Sequence, residues 1–256
     1  MWNSIITTKN KIQNEDIKKI TRGENSSIII KKFYEKENCK KIIEKICNTH
    51  IKKDSKKFNH IGPFLMNYTT KKEEYFQKAK KANILFKKIF SGIDNPVNEI
   101  KSTMSKSFPD YEVLETKENK QNYASCTIRL HTNGKSVPLH KDNVRYEGAE
   151  YNVSKINSQF SCILHLQPTE KGGNLSIYKK QWEKKLEKFR EIEFGYDNIL
   201  KNDLDVDTIK SEIGDLVILN PNYLHEVTKI QGKSDRITLG MFFGIQNESK
   251  KIFSWA

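Results

Sequence analysis

His140-Lys141-Asp142 lies near the middle of the chain, and its partners come later: His225, 85 residues beyond His140, and Arg236, 11 residues after that. At the end of an extended strand, side chains two apart share a face, so His140 and Asp142 point the same way. A distal histidine completes three ligands on one face of an octahedral metal and leaves the other positions open. Two neutral imidazoles and a carboxylate so arranged suit non-haem Fe(II) in oxygen-activating enzymes. Each piece alone has a plainer reading: polar surface residues for the His-x-Asp, a satisfied core histidine for His225, a solvated strand charge for Arg236.

The flanking segments favour the joint reading. The run FSCILHLQ over 160–167 and the run LSIY over 175–178 flank Gly172-Gly173 and read as two strands joined through a turn. Gly214-Asp215 opens the apolar run LVIL, and Asn220-Pro221-Asn222 turns the chain just before His225. Arg236 begins a further strand, in which Arg236 and Thr238 share a face.

This set resembles the Fe(II)/2-oxoglutarate-dependent oxygenase superfamily over residues 123–245, about half the chain. The resemblance implies metal ligands at His140, Asp142 and His225. It also implies that Arg236, with Thr238, grips the far carboxylate of 2-oxoglutarate through charge-assisted hydrogen bonds. Fe(II), 2-oxoglutarate and O2 are then the expected cofactor and co-substrates. The expected fold is α+β, a double-stranded β-helix (jelly-roll, cupin-like) core buttressed by N-terminal helices. Residues 1–110 form the mainly helical region and 111–256 the catalytic core of one structural domain.

Residues 159–167, the Tyr178-x-x-Gln181-Trp182 segment and the Trp-containing C-terminus look like small bacterial enzymes acting on free amino acids, including carrier-independent halogenases and lysine-type hydroxylases. Radical halogenases of this superfamily carry Gly or Ala in place of the carboxylate ligand, opening a site for chloride. Asp142 would fill that site, so hydroxylation of an aliphatic C–H is the expected outcome, with succinate and carbon dioxide as co-products. The rival readings are an oxygenase acting on a macromolecule (a nucleic-acid dealkylase or a protein hydroxylase) and a non-enzymatic jelly-roll binder. The dealkylases typically have a second Arg soon after the 2-oxoglutarate Arg, and the strand 237–244 has none.

The net charge of +13 arises from 45 Lys and Arg against 32 Asp and Glu, yet only Arg22, Arg129, Arg145, Arg190 and Arg236 are arginine. Lysines spread among glutamates read as a solvated surface rather than a phosphate-binding face. The expected partner is a small-molecule substrate, a free amino acid, with no membrane and no nucleic acid; a homodimer is the assembly considered. Cys39, Cys47, Cys126 and Cys162 lack metal or disulfide spacing, and no apolar run is long enough to span a bilayer. A reducing cytoplasm is the expected location.

Helices are expected over 35–47, 73–90 and from Asn95-Pro96 to Phe108, with apolar positions recurring at three and four. From 111 the period becomes two. In the strand 123–131, Thr127, Arg129 and His131 share the polar face, which either meets solvent or lines a pocket. Asn143 and Arg145 follow the His-x-Asp directly, and Trp255 lies in a tail that could close over the site. These six are the candidate substrate contacts. Residues 180–210 read as a helix and lid.

Overall fold

The computed structural model describes residues 2–48, 59–192 and 194–256. The chain opens with β1 (Ile5–Thr7), α1 (Asn14–Arg22), β2 (Ser27–Ile30) and α2 (Lys36–Cys47). Then come β3 (Asn59–Ile61), α3 (Lys72–Ile89), α4 (Pro96–Ser107), β4 (Glu112–Glu115) and a hairpin of β5 (Lys117–Glu118) and β6 (Gln121–Asn122). Strands dominate thereafter: β7 (Thr127–His131), β8 (Val137–His140), then the short helix α5 (Val144–Glu147), β9 (Ser158–Gln167) and β10 (Leu175–Gln181). The hairpin β11 (Arg190–Ile192) and β12 (Gly195–Tyr196) precedes β13 (Val206–Ile209), β14 (Leu216–Leu219), β15 (Tyr223–Val227), β16 (Arg236–Gln246) and β17 (Lys251–Trp255).

A nine-stranded sheet runs β1-β2-β14-β9-β16-β17-β4, with β7 on β16 and β3 on β7. A four-stranded sheet runs β13-β10-β15-β8. The chain crosses repeatedly between them, so residues far apart in sequence meet in the space the sheets enclose.

β16 organises the large sheet. Its neighbours are β9 along most of its length, β7 beside its first half and β17 beside its second. Alternation splits its side chains. Ile237, Leu239, Met241, Phe243 and Ile245 join the core cluster shared with α1, α2, α3 and α4. Arg236, Thr238 and Gly240 fall on the other face, toward the small sheet. A second cluster joins the sheets themselves, placing Ile163, Val217 and Leu219 against Leu175, Ile177, Tyr223 and Val227. Fully burying each such side chain stabilises the fold by about 1.5–3 kcal/mol.

The helices lie where the periodicity put them. α3 buries Tyr75, Phe76, Ala79, Ala82, Phe86 and Ile89, with Glu73 and Glu74 in its first turn and Lys87 and Lys88 in its last, matching the helix dipole. Asn95 caps α4 by accepting from the Val97 amide at 2.9 Å, with Pro96 just inside.

One expectation needs an addition and two need correction. Residues 1–110 also supply strands, with β2 (SIII) pairing along β14 and extending the large sheet. No helix longer than a 3-10 turn forms over 180–210 among the described residues; Lys184–Phe189 and Asn198–Lys201 are 3-10 turns around the β11–β12 hairpin. The segment offers too few apolar side chains for a helical stripe, and Leu186 is the one buried in its first turn. The C-terminal tail closes over nothing: β17 is locked between β16 and β4.

Candidate metal centre and its cavity

His140 ends β8 and His225 sits in mid β15, where the two are directly paired. Their ring centroids are 4.1 Å apart. Asp142 follows just beyond the strand, held by its amide donating to the Pro221 carbonyl at 2.9 Å. The Asn220–Asn222 turn that delivers His225 therefore also fixes Asp142. One ligand atom from each of His140, Asp142 and His225 lies within 4.8 Å of the others. His225 Nε2 is 3.8 Å from Asp142 Oδ2.

The histidine tautomers follow from their partners. His140 Nδ1 lies 2.8 Å from the Pro138 carbonyl, and His225 Nδ1 lies 2.8 Å from the Tyr223 carbonyl. A carbonyl only accepts, so each Nδ1 carries the proton and each Nε2 keeps its lone pair. Burial lowers the His140 pKa to about 4 and that of His225 to about 3, so both are neutral at pH 7. Burial pushes the Asp142 carboxyl up, against the pull of His225 and Arg129. Two neutral imidazoles oriented by backbone, beside a buried carboxylate that a cation would stabilise, fit a divalent metal such as Fe(II).

The triad opens on a cavity of about 330 Å³, a volume in the range usual for small ligands. β7 and β16 supply the opposite wall. His131 pairs with Arg236 and Arg129 with Thr238 across these strands. Arg236 is buried, and burial with the nearby Arg129 lowers its pKa to about 10, so it remains cationic. Its Nε donates to the Gly173 carbonyl at 2.9 Å, while its Nη2 has no partner among the described residues. The buried Thr238 hydroxyl likewise has none. A guanidinium with a free fork nitrogen next to a free hydroxyl is a donor set that fits a carboxylate.

The remaining sequence candidates divide. Thr127, Arg129 and His131 line the cavity, so the polar face of β7 looks inward. The Thr127 hydroxyl is already spent on the Pro63 carbonyl at 3.0 Å. Asn143, Arg145 and Trp255 are absent from the lining. Asn143 caps α5 through the Tyr146 amide and bonds Asn222 at 2.8 Å, a structural use of the side chain. Arg145 projects into solvent from α5, because the chain turns helical immediately after Asp142. Trp255 is wholly buried against Phe242 in a cluster behind the site.

Several lining residues were not legible. β3 and the loop after it bring His60, Phe64, Met66 and Asn67 to the cavity. Lys141, on the opposite side of the strand from its neighbours, is buried with its ammonium 2.5 Å from Glu147 Oε1 and 4.4 Å from the Trp182 ring centroid. Glu147 also binds Arg190 at 3.0 Å, and Phe194 packs edge-on against His140 at 5.6 Å. Arg190 and Trp182 thus tie this part of the chain to the metal loop, through an ion pair with Glu147 and a cation–π contact with Lys141. His165 of β9, paired with Thr238 of β16, lies outside this lining and has a buried Nε2 without a partner among the described residues.

The model of the family described as carrier-protein-independent halogenase WelO5 matches residues 2–256. The chain belongs to that family and, with it, to the Fe(II)/2-oxoglutarate-dependent oxygenases, enzymes that use non-haem Fe(II), 2-oxoglutarate and O2. A curated relative, leucinostatins biosynthesis cluster protein S of Purpureocillium lilacinum, is 25% identical over 182 residues, covering 68% of this chain and 73% of that one. Among solved structures, an N-substituted L-amino acid dioxygenase from Burkholderia ambifaria AMMD in complex with alpha-KG superposes with TM-score 0.62 at 13% identity, covering 93% of this chain and 90% of that one. HygX from Streptomyces hygroscopicus, with nickel and 2-oxoglutarate bound, gives TM-score 0.53 at 9% identity over 89% of this chain and 86% of that one. At such identities these structures share the fold. No helix among the described residues is long and apolar enough to cross a membrane.

Proposed function

We propose that this enzyme hydroxylates an aliphatic C–H of a small molecule of amino-acid size, on a core that is a double-stranded β-helix. The observation that carries the reaction type is Asp142. Its carboxylate stands with His140 and His225 in the position that a halogenase of this superfamily leaves to chloride. The cavity volume and the likeness to a dioxygenase of N-substituted L-amino acids support a substrate of that size. Strands that pass back and forth between two facing sheets support the β-helix.

On this reading, His140 and His225 present Nε2 to the metal and Asp142 presents its carboxylate. Arg236 and Thr238 take the far carboxylate of 2-oxoglutarate. Arg236 lies on the cavity wall with a spare donor, and Thr238 sits two residues on along the same face of β16, outside the lining, which supports a co-substrate held between the triad and β16. O2 would be the oxidant, and a bound metal and 2-oxoglutarate would supply its activation, 2-oxoglutarate giving two electrons as it goes to succinate and carbon dioxide. The chain supplies orientation, exclusion of water and one fixed approach for the substrate carbon. Phe194 and Phe64 shield the cavity with apolar surface.

Halogenation is the second reading, favoured by the family description. Iron-loaded protein with 2-oxoglutarate and O2, assayed with and without chloride, separates them by product mass. A product one oxygen heavier, unaffected by chloride, is expected. A chlorinated product from the unaltered chain would overturn the proposal.

A further inference from the structure

The charged side chains around the cavity match one another, with one exception. Lys141 and Arg190 flank Glu147 at 2.5 and 3.0 Å, and Arg190 also reaches Glu187 at 3.2 Å. Two cations and two carboxylates are balanced there. A bound Fe(II) would have its two charges answered by Asp142 and by one carboxylate of 2-oxoglutarate. The far carboxylate is answered by Arg236. His131 is neutral, because burial and then Arg236 and Arg129 hold its pKa at about 3. Arg129 is left over.

Its setting is that of a binding group. Arg129 lies on the cavity wall of β7, with its guanidinium carbon 5.1 Å from the centroid of the Phe64 ring. Gly240 makes room behind it: a Cβ there would come within 2.9 Å of Arg129 Nη1. No carboxylate lies within ion-pair distance of it among the described residues, and the charge of Asp142, the proposed metal ligand, is the one that acts on it. A guanidinium desolvated without a counter-ion is costly, and an anion that enters beside it removes that cost. The carboxylates on the wall are Asp142 and Glu147, one at the metal and the other already between two cations. No unpaired carboxylate remains on the described wall to receive an ammonium, and an ammonium entering here would meet Arg129 as a like charge.

We infer that the substrate is a carboxylate without a free ammonium, such as an N-acylated amino acid, and that Arg129 holds its carboxylate. The inference rests on the cavity being the oxygenase site, and it departs from the free amino acid, lysine above all, that the sequence resemblance implied.

The test is isothermal titration of the full chain loaded with Ni(II), which keeps the site inert, and 2-oxoglutarate. The probes are N-acetyl and N-succinyl amino acids spanning apolar side chains, the primary amides of the same compounds, and free amino acids including lysine. At least one N-acyl acid is expected to bind, its amide at least about 30-fold more weakly, and free lysine not measurably. Arg129→Gln is expected to weaken the acid by at least about 30-fold and leave 2-oxoglutarate affinity unchanged. Arg129→Lys, which keeps the charge and loses the fork, is expected to fall between them. Melting of both variants with Ni(II) checks the fold. Binding of free lysine or of the amides as tight as that of the acids overturns the proposal, as does failure of every N-acyl acid to bind. Loss of 2-oxoglutarate affinity in Arg129→Gln also overturns it and assigns Arg129 to the co-substrate. The oxygenase reading fails by a different sign: no succinate from the iron-loaded chain with 2-oxoglutarate and O2, even where an acid binds.

Discussion

The two sheets meet across the cavity in opposite bonding states. On the small sheet the functional side chains are already held, with both ligand histidines donating Nδ1 to carbonyls two residues back in their own strands. On the large sheet they are not: Arg236 Nη2 on the cavity wall, and Thr238 Oγ1 and His165 Nε2 beside it but outside the lining, are buried without partners among the described residues. The metal side is finished by backbone, so its geometry is set when the chain folds. The large sheet leaves polar groups unsatisfied by the protein, each at a cost of about 1–3 kcal/mol that a ligand or water offsets. Rigidity on one side and unmet hydrogen bonding on the other are what a site needs to fix a metal permanently and a dicarboxylate reversibly.

Removing a group from the finished side has the largest expected effect. Asp142→Ala deletes a ligand, and hydroxylation should fall by more than about 100-fold, with iron content falling in parallel and circular dichroism unchanged. Full activity in that variant without added halide would remove Asp142 from the metal. On the unfinished side, Arg236→Gln should raise the KM for 2-oxoglutarate by about 30-fold or more, while high 2-oxoglutarate restores much of kcat. A variant whose defect ignores 2-oxoglutarate concentration would break the contrast between the sheets.

A smaller effect tests how Arg236 is aimed. Its Nε is held by the carbonyl of Gly173, a residue with φ of 66°, and a Cβ there would come within 3.2 Å of Arg236 Cδ. Gly173→Ala should therefore lower stability by about 1–3 kcal/mol through left-handed strain. It should also weaken 2-oxoglutarate by displacing the guanidinium. Denaturant titration and a KM measurement read the two effects separately; an unchanged KM would show that the turn supports the fold without aiming Arg236.

The same contrast explains what the sequence let one read. The meeting of His140, Asp142 and His225, and the shared face of Arg236 and Thr238, were legible because strand alternation fixes which side chains lie together, and their spacing carries that alternation. Helices α3 and α4 were legible because each has an apolar period and charged or capping ends of its own. Asn143, Arg145 and Trp255 were misjudged for a shared reason: closeness in sequence to a metal ligand, or to the chain end, says nothing about direction. One turn of helix after Asp142 sends Arg145 outward, and one strand pairing sends Trp255 into the core. Lys141 was passed over because a buried lysine is intelligible only once Glu147 and Trp182 are beside it. The cavity wall from His60 to Asn67 depends on β3 pairing with β7, a long-range choice that three residues cannot announce.

The smallest change gives the most direct test of the unfinished wall, because it separates stability from binding. Thr238→Val keeps the shape of a side chain that is 1% exposed and deletes a hydroxyl with no partner among the described residues. Without ligand, the loss of an unsatisfied buried hydroxyl should stabilise the protein by about 1 kcal/mol. With 2-oxoglutarate, the variant lacks a hydrogen bond to a charged carboxylate, so affinity should fall by about 10-fold. Stability and affinity therefore move in opposite directions, which simple damage to packing would not produce. The midpoint of urea unfolding without ligand and the KM for 2-oxoglutarate are the two readings. Thr238→Ser, which keeps the hydroxyl and loses the methyl, should do the reverse, retaining affinity and losing stability. If Thr238→Val instead loses stability and keeps its affinity, the hydroxyl is satisfied within the protein, and Arg236 grips the co-substrate without it.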